Sequence, residues 1–317
     1  MRSIEILDRL IAFPTVSRDS NLELVDYVQT LLSEAGVESA LTYDATGKKA
    51  NLYATIGPRD RAGVMLSGHT DVVPVDGQAW TRDPFRMTEE AGRLYGRGAT
   101  DMKGFVACAL AAAEAATRRE LSTPLHLALS YDEEIGCVGV HGLIDALEIA
   151  PIKPALAIVG EPTSLAVANG HKGKAGFRTV CKGREGHSAL APLAMNAVYL
   201  AADFVNAVRA KQAEIAAAGA RDGDYDVPYT TLHVGKIGGG VALNIVPNAC
   251  EVLWEIRNLA EDDAAAIEAS IRAAADAIVA AADDPDAAIE TERYMGYPGL
   301  TTSPKAGVVD FVRGLTG

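Results

Sequence analysis

No uncharged apolar stretch of the sequence reaches the ~18–20 residues that a membrane-spanning helix needs. The densest candidate, the alanine-rich stretch 105–117, is too short and carries Glu114. Cysteine is scarce. Its four copies, Cys108, Cys137, Cys181 and Cys250, lie far apart and form no CxxC or other close-spaced ligand pattern. That spacing argues against a thiolate metal centre and for core thiols in a reducing compartment. Positive charge is short too, with 29 Lys and Arg against 42 Asp and Glu, a formal net charge of −13. Such a balance disfavours a nucleic-acid backbone as partner, because that binding needs a concentrated basic surface. The opening MRSIEILDRLIAF has no small-residue cleavage site behind a long apolar core. It alternates charges with apolar residues at helical spacing, so it reads as a folded helix and favours the cytoplasm.

What is present is an ordinary globular composition, 49% hydrophobic and 22% charged, in 317 residues. That length suits two cores, since a single core rarely grows much past about 250–300 residues. Residues 3–13 and 21–36 read as helices, the second with Leu22, Leu24, Val25, Val28, Leu31 and Leu32 as its apolar stripe. Residues 51–56 and 64–67 read as strands. A helix is expected from about Phe105 to Arg118, then a strand LHLALSY, a helix after Cys137 and a strand ALAIV ending at Gly160. Short apolar strands alternating with helices imply an α/β sheet covered on both faces. After HKGKAG the rhythm changes to strand FRTVCKG, an alanine-rich helix over 192–216, strands TLHVGKI and CEVLWEI, a helix over 264–281 and a strand over 288–295. That β-α-β-β-α-β order predicts a ferredoxin-like α+β module inserted into the first domain. The expected division is 1–175 with 297–317 as one domain and 176–296 as the other.

Three apolar strands are each followed by metal-competent residues: His69 and Asp71 after VMLSG, Asp132, Glu133 and Glu134 after LHLALSY, and Glu161 after ALAIVG. Open α/β sheets bind ligands beyond the carboxyl ends of their strands, so these groups are expected to converge. Asp101 joins them from the glycine-rich loop before a helix. A histidine with several carboxylates suits zinc, cobalt or manganese. Asp71, two residues from His69 in extended chain, can accept a hydrogen bond from the ring's other nitrogen. Adjacent Glu133 and Glu134 point different ways, so one can hold metal while the other reaches an attacking water. The segment GRGATDMKG lacks the GxxxxGK[ST] order, which argues against a phosphate loop.

LSGHTDVVPVDGQAW, GRLYGRGATDMKGF, LALSYDEEIGC, IVGEPT, HKGK and GGGVALNIVPNACEVLWEIR together resemble, in order, the M20 family of metallopeptidases and its acetylornithine deacetylase branch. The resemblance implies a zinc-peptidase-like catalytic domain with a lid and dimerisation domain, and two divalent ions, zinc first and cobalt as the alternative. By the same resemblance His69, Asp101, Glu134 and Glu161 are metal ligands, Asp101 bridging, with the Asp101–Met102 peptide cis. Asp71 supports His69, Glu133 is the general base, and His187 stabilises the oxyanion, typically in the partner subunit. Asn244 and Arg257 resemble contacts to a substrate carboxylate. The implied reaction is hydrolysis of N-acetyl-L-ornithine to acetate and L-ornithine in arginine biosynthesis, by a homodimer. The alternatives are succinyl-diaminopimelate desuccinylase, aminoacylase or dipeptidase activity, or a non-catalytic homologue. One departure is expected to matter: family members run further, with a last metal-binding histidine, whereas this chain stops at FVRGLTG. The expectation is therefore a C-terminally incomplete catalytic domain.

Overall fold

The computed structural model describes residues 1–316, which divide into two compact units, Met1–Ala166 and Val167–Leu315. In the first, a five-stranded sheet runs in the order Ser39–Tyr43, Ala50–Ile56, Leu125–Ser130, Val64–His69, Leu156–Val159. The last three strands are parallel, with His69 opposite Ser130 and Ser67 opposite Val159, so their carboxyl ends open at one edge. The first two are antiparallel to their neighbours.

Side-chain alternation explains how this sheet is covered. Leu52, Ala54 and Ile56 turn to one face and join Leu127, Leu129, Val106 and Leu110 in a core completed by Ile6, Leu10, Leu24, Val28 and Leu32. These last belong to helices Arg2–Ile11 and Leu22–Glu34, which carry their apolar residues at the three-to-four spacing of a buried stripe. On the other face, Asn51 Nδ2 donates to Gly139 O beside the helix Val140–Glu148. Tyr53 and Thr55 meet buried His126 Nδ1 at 2.8 and 3.0 Å. That histidine is therefore a sheet-face residue with no part in the strand-end cluster. The helix expected from Phe105 starts two residues earlier, as Lys103–Ala116, and packs on the central strands and on Arg2–Ile11. The strand Ser39–Tyr43 and the hairpin Thr88–Glu90/Arg93–Tyr95 are additions to the expected elements.

The second unit orders its elements strand Gly173–Lys182, helix Ala197–Ala218, strands Thr231–Gly239 and Ala249–Asn258, helix Ala264–Ala282, strand Ala288–Tyr297. They form a four-stranded antiparallel sheet with Ala249–Asn258 and Gly173–Lys182 in the middle. Both helices pack on its apolar side, where Phe177 and Trp254 stack at 4.2 Å between centroids and Phe204 meets Trp254 edge-on at 5.9 Å. Trp254 Nε1 donates to Thr179 Oγ1 at 2.8 Å, so the one polar atom of the buried indole is satisfied. Asn196 and Asp263 cap the two helices through their side chains. The last described element is the helix Gly307–Thr316, with Val309 buried. No helix among the described residues is long and apolar enough to cross a membrane.

Candidate metal centre

Parallel pairing carries His69 to the sheet's carboxyl edge, where it is only 1% exposed. Its Nδ1 lies 2.9 Å from the Asp71 carbonyl oxygen and 3.5 Å from the Asp71 carboxylate. A carbonyl can only accept, so Nδ1 carries the proton and Nε2 faces the crevice. There Nε2 is 3.1 Å from Asp101 Oδ1, 3.8 Å from Glu161 Oε1 and 3.9 Å from Glu133 Oε2. The expected partnership of Asp71 with His69 thus runs first through the Asp71 backbone.

The Asp71 side chain has other work. One carboxylate oxygen accepts Glu133 N–H at 3.0 Å; the other accepts Glu134 N–H at 3.2 Å and the Ser17 hydroxyl at 2.7 Å. It therefore fastens the Glu133–Glu134 turn to the histidine strand. The loop holding Ser17 runs alongside residues 70–72, with Val72 N–H donating to Thr15 O and Ser17 N–H to Val72 O.

Two glycines permit the remaining approaches. Gly98, at φ +82, starts the turn into Asp101, where a Cβ would fall 2.7 Å from Val72 Cγ1. Gly160 precedes Glu161, and a Cβ there would lie 1.9 Å from the Phe105 ring. The Asp101–Met102 peptide is cis. Two residues on, fully buried Lys103 donates to Leu10 O at 2.9 Å and Phe13 O at 2.7 Å, locking the loop to the end of the first helix. Burial holds its ammonium down at about 7.

Two sets of ligand atoms result, His69–Glu133–Glu161 and His69–Asp101–Glu134, each with its atoms within 4.8 Å of one another. They share His69. Burial and the neighbouring Asp101, Glu133 and Glu134 charges, opposed by His69, push the Glu161 carboxyl up to about 7. Burial first, then Asp101, raises Glu134 as well. For His69, burial alone would lower the imidazole, yet Asp71 beside it and the Glu133 and Glu161 charges hold it at about 9. Crowded carboxylates around one imidazole constitute an excess of negative charge that a cation relieves, and an N/O donor set suits zinc, cobalt or manganese. The residues present fit two divalent ions.

Of the residues singled out from sequence, His69, Asp101, Glu133, Glu134 and Glu161 therefore bring ligand atoms together in one crevice, Asp71 is bonded behind them, and the Asp132 carboxylate turns to Lys49 instead. His187, Asn244 and Arg257 lie in the second unit. His187 is exposed in a two-residue strand paired with Ile245–Val246, and Ser188 N–H donates to Asn244 O at 3.0 Å, so His187 and Asn244 are neighbours. Arg257 stands near the far end of its strand, opposite Lys174, with Nε 3.1 Å from Glu255 Oε1 and an Nη 3.3 Å from the Tyr297 hydroxyl. At the usual strand rise that is roughly 25 Å along the ladder from Ala249, so it does not join the other two. Sequence reasoning missed Ser17, Lys49 and the specific bonds of Asp132; the DEE triplet signalled only that an acid stands there.

A mixed sheet whose three parallel strands end in a crevice lined by a histidine and four carboxylates defines a metallohydrolase-type α/β protein. The model of peptidase family M20/M25/M40 matches residues 65–316, and the chain belongs to that family. It is 39% identical over 256 residues to the acetylornithine deacetylase of Myxococcus xanthus, covering 79% of this chain and 65% of the relative. Against the acetylornithine deacetylase of Pasteurella multocida (strain Pm70) it is 34% identical over 263 residues, covering 81% and 68%. The chain thus spans about two thirds of the length of these curated relatives. A solved tripeptidase of Staphylococcus aureus shares the fold at TM-score 0.74 and 17% identity, covering 98% of this chain and 79% of that one.

These comparisons correct the expectation of a catalytic domain cut short. Solved structures of the fold align over 95–98% of the chain, and the family match runs to residue 316. The closing residues fall inside the family pattern; on the last helix Val309 is buried, while Phe311 and Leu315 are exposed.

Proposed function

We propose that this chain is a metal-dependent amidohydrolase that removes the acetyl group from N-acetyl-L-ornithine, giving acetate and L-ornithine in cytoplasmic arginine biosynthesis. The observation that carries the reading is the pair of ligand sets sharing His69, with more carboxylates than one ion needs. The substrate assignment is supported by the two curated relatives, both acetylornithine deacetylases.

In this reading His69, Asp101, Glu134 and Glu161 hold the ions, zinc first and cobalt second, and Glu133 is left as the base. When bound, the ions polarise the scissile carbonyl and acidify water. Glu133 takes the proton of the attacking water and delivers it to the departing amine. Its Oε1 accepts a weak hydrogen bond from Cys137 Sγ at 3.3 Å. Asp71 orients His69 and, by accepting the amides of Glu133 and Glu134, the turn that carries both carboxylates. His187 Nδ1 accepts Ala189 N–H at 3.1 Å, so its neutral ring carries the proton on Nε2, the form that donates to a developing oxyanion. Asn244 and Arg257, roughly 25 Å apart along the ladder, would meet one substrate carboxylate only from two different subunits; the planar guanidinium fork of Arg257 is geometrically suited to it.

We further read residues 1–175 with 297–317 as the catalytic domain and 176–296 as an inserted ferredoxin-like lid that also pairs two subunits. Exposed Leu190, Leu193, Val241 and Leu243, on segments either side of His187 and Asn244, support an interface there. Ornithine release from Nα-acetyl-L-ornithine, measured with zinc or cobalt and with a chelator, tests the reading. Release that needs metal supports it. Folded, zinc-loaded protein that frees no ornithine yet cleaves another N-acyl amino acid would replace the substrate, and inertness toward all of them would end the hydrolase assignment.

A further inference from the structure

Asp132, the residue before the Glu133–Glu134 pair, is 8% exposed and adopts φ +54, a left-handed backbone that side-chain-bearing residues enter uncommonly. Asp132 O accepts Val138 N–H at 3.0 Å, and Glu133 O accepts the amides of Gly136 and Cys137, both at 2.8 Å. This tight turn directs the next two amides, of Glu133 and Glu134, at the Asp71 carboxylate. Across the crevice wall, Lys49 Nζ lies 2.6 and 2.7 Å from the two Asp132 carboxylate oxygens and 2.5 Å from Ser17 O. Ser17 in turn donates its hydroxyl to Asp71.

Lys49 is itself fixed from both sides. Its amide donates to Asp44 Oδ1 at 3.0 Å, and Ala50 exchanges two bonds with the Asn21 side chain. The ammonium therefore projects from an anchored strand start into a polar pocket made of one carboxylate and one carbonyl. Lys49 and Asp132 are both largely buried, at 16% and 11% side-chain exposure, so neither charge is left to water. Removing one partner of such a pair leaves the other buried and uncompensated.

We propose that Lys49 and Asp132 are positioning residues of the metal centre: their ion pair, tied to Ser17, holds the left-handed turn that aims the Glu133 and Glu134 amides at Asp71 and thereby sets where both carboxylates stand. The inference rests on the two-metal reading above. It adds a loop, Lys49 to Asp132 to Glu133/Glu134 to Asp71 to Ser17 and back to Lys49, in which each member restrains the next.

The test measures zinc binding to the full chain by competition with a chromophoric chelator, and separately the thermal midpoint of the metal-free protein. Lys49→Met and Asp132→Asn are expected to weaken zinc binding by about 10–100-fold, the range for losing support behind metal ligands. Lys49→Arg, which keeps a cation facing both Asp132 oxygens, should restore most of the affinity. Asp132→Gly is the variant that separates conformation from charge, since glycine adopts φ +54 freely but offers no carboxylate. It is expected to bind zinc as weakly as Asp132→Asn, and it carries the test if Lys49→Met does not fold. A pair that is merely structural would lower the metal-free midpoint and leave the zinc affinity of folded protein unchanged; that result in Asp132→Gly or Lys49→Met overturns the proposal. Wild-type chain that takes up no zinc would overturn the two-metal reading and this proposal together, whereas equal binding by wild type and Asp132→Gly overturns this one alone.

Discussion

The strand-end crevice of the first unit and the His187 corner of the second are built on opposite plans. In the first, His69, Asp71 and Asp132 are 1%, 2% and 8% exposed, and the bonds that hold them are buried or part-buried behind the more open Asp101 and Glu161. In the second, His187 and Asn244 are exposed, joined through backbone bonds on short segments, with Leu243 beside them wholly exposed. A ligand set must be held before the ion arrives, because its like charges repel one another. A donor to a transient oxyanion needs only its proton on the correct nitrogen, which one local bond from Ala189 secures. Substitutions of the crevice ligands should therefore weaken metal binding, and substitutions in the corner should spare it.

The sharpest test of that contrast is His69→Ala. Because the imidazole has one free nitrogen, the variant is expected to lose tight binding of one of the two ions, read by metal analysis after gel filtration. Retention of two full equivalents would mean that His69 is not a ligand. Glu133→Gln comes next: turnover should fall by about 10²–10⁴-fold with zinc content unchanged, the loss typical of a missing general base. Equal loss of zinc and turnover would instead make Glu133 a ligand, as its place in one of the two sets permits. His187→Ala should lower kcat by about 10²–10³-fold, while zinc affinity and thermal midpoint stay at wild-type values. A fall in zinc affinity there would erase the distinction between the two regions.

The part of this arrangement that sequence made legible is the part that is local. VMLSGH, LHLALSY and ALAIVG are short apolar runs ending in acids or histidine, and parallel pairing brings their ends level, as an α/β rhythm implies. What stayed hidden depends on distant partners. Ser17 and Asp71 are 54 residues apart, Lys49 and Asp132 are 83 apart, and Lys103 reaches back 90 residues to Phe13. No periodicity reports such a bond, since a lysine before a strand reads as a solvated charge until the fold folds it inward. The strand Ser39–Tyr43 was hidden for a related reason: as an edge strand it has no fully buried residue and so no strong alternation. Arg257 shows that a shared motif does not fix proximity. Grouped by motif with Asn244, it lies near the other end of the ladder, because adjacency in sequence along a strand is distance in space.

The smallest expected effect concerns the metal-free crevice and its pH dependence. Burial, reinforced by Asp101, Glu133 and Glu134 against the opposing His69, raises the Glu161 carboxyl from 4.5 to about 7. The folded chain then binds this proton more tightly than the unfolded chain does, so stability falls as pH rises through that window. His69, held at about 9 against 6.5 with burial opposing and Asp71 favouring the charged ring, adds a decline that begins above the unfolded value. Lys103, held by burial at about 7 against 10.5, works the other way above neutrality. Comparing wild type with Glu161→Gln between pH 4.5 and 7 cancels the lysine and isolates the carboxyl. With chelator present, the thermal midpoint of wild type should drop relative to the variant as pH rises across this window, and saturating zinc should remove the difference in slope because the ion, rather than a proton, then answers the charge. A metal-free wild type that gained on Glu161→Gln with rising pH would mean that Glu161 is stabilised as an anion without metal, and the crevice would lose its claim to be a site held ready for a cation.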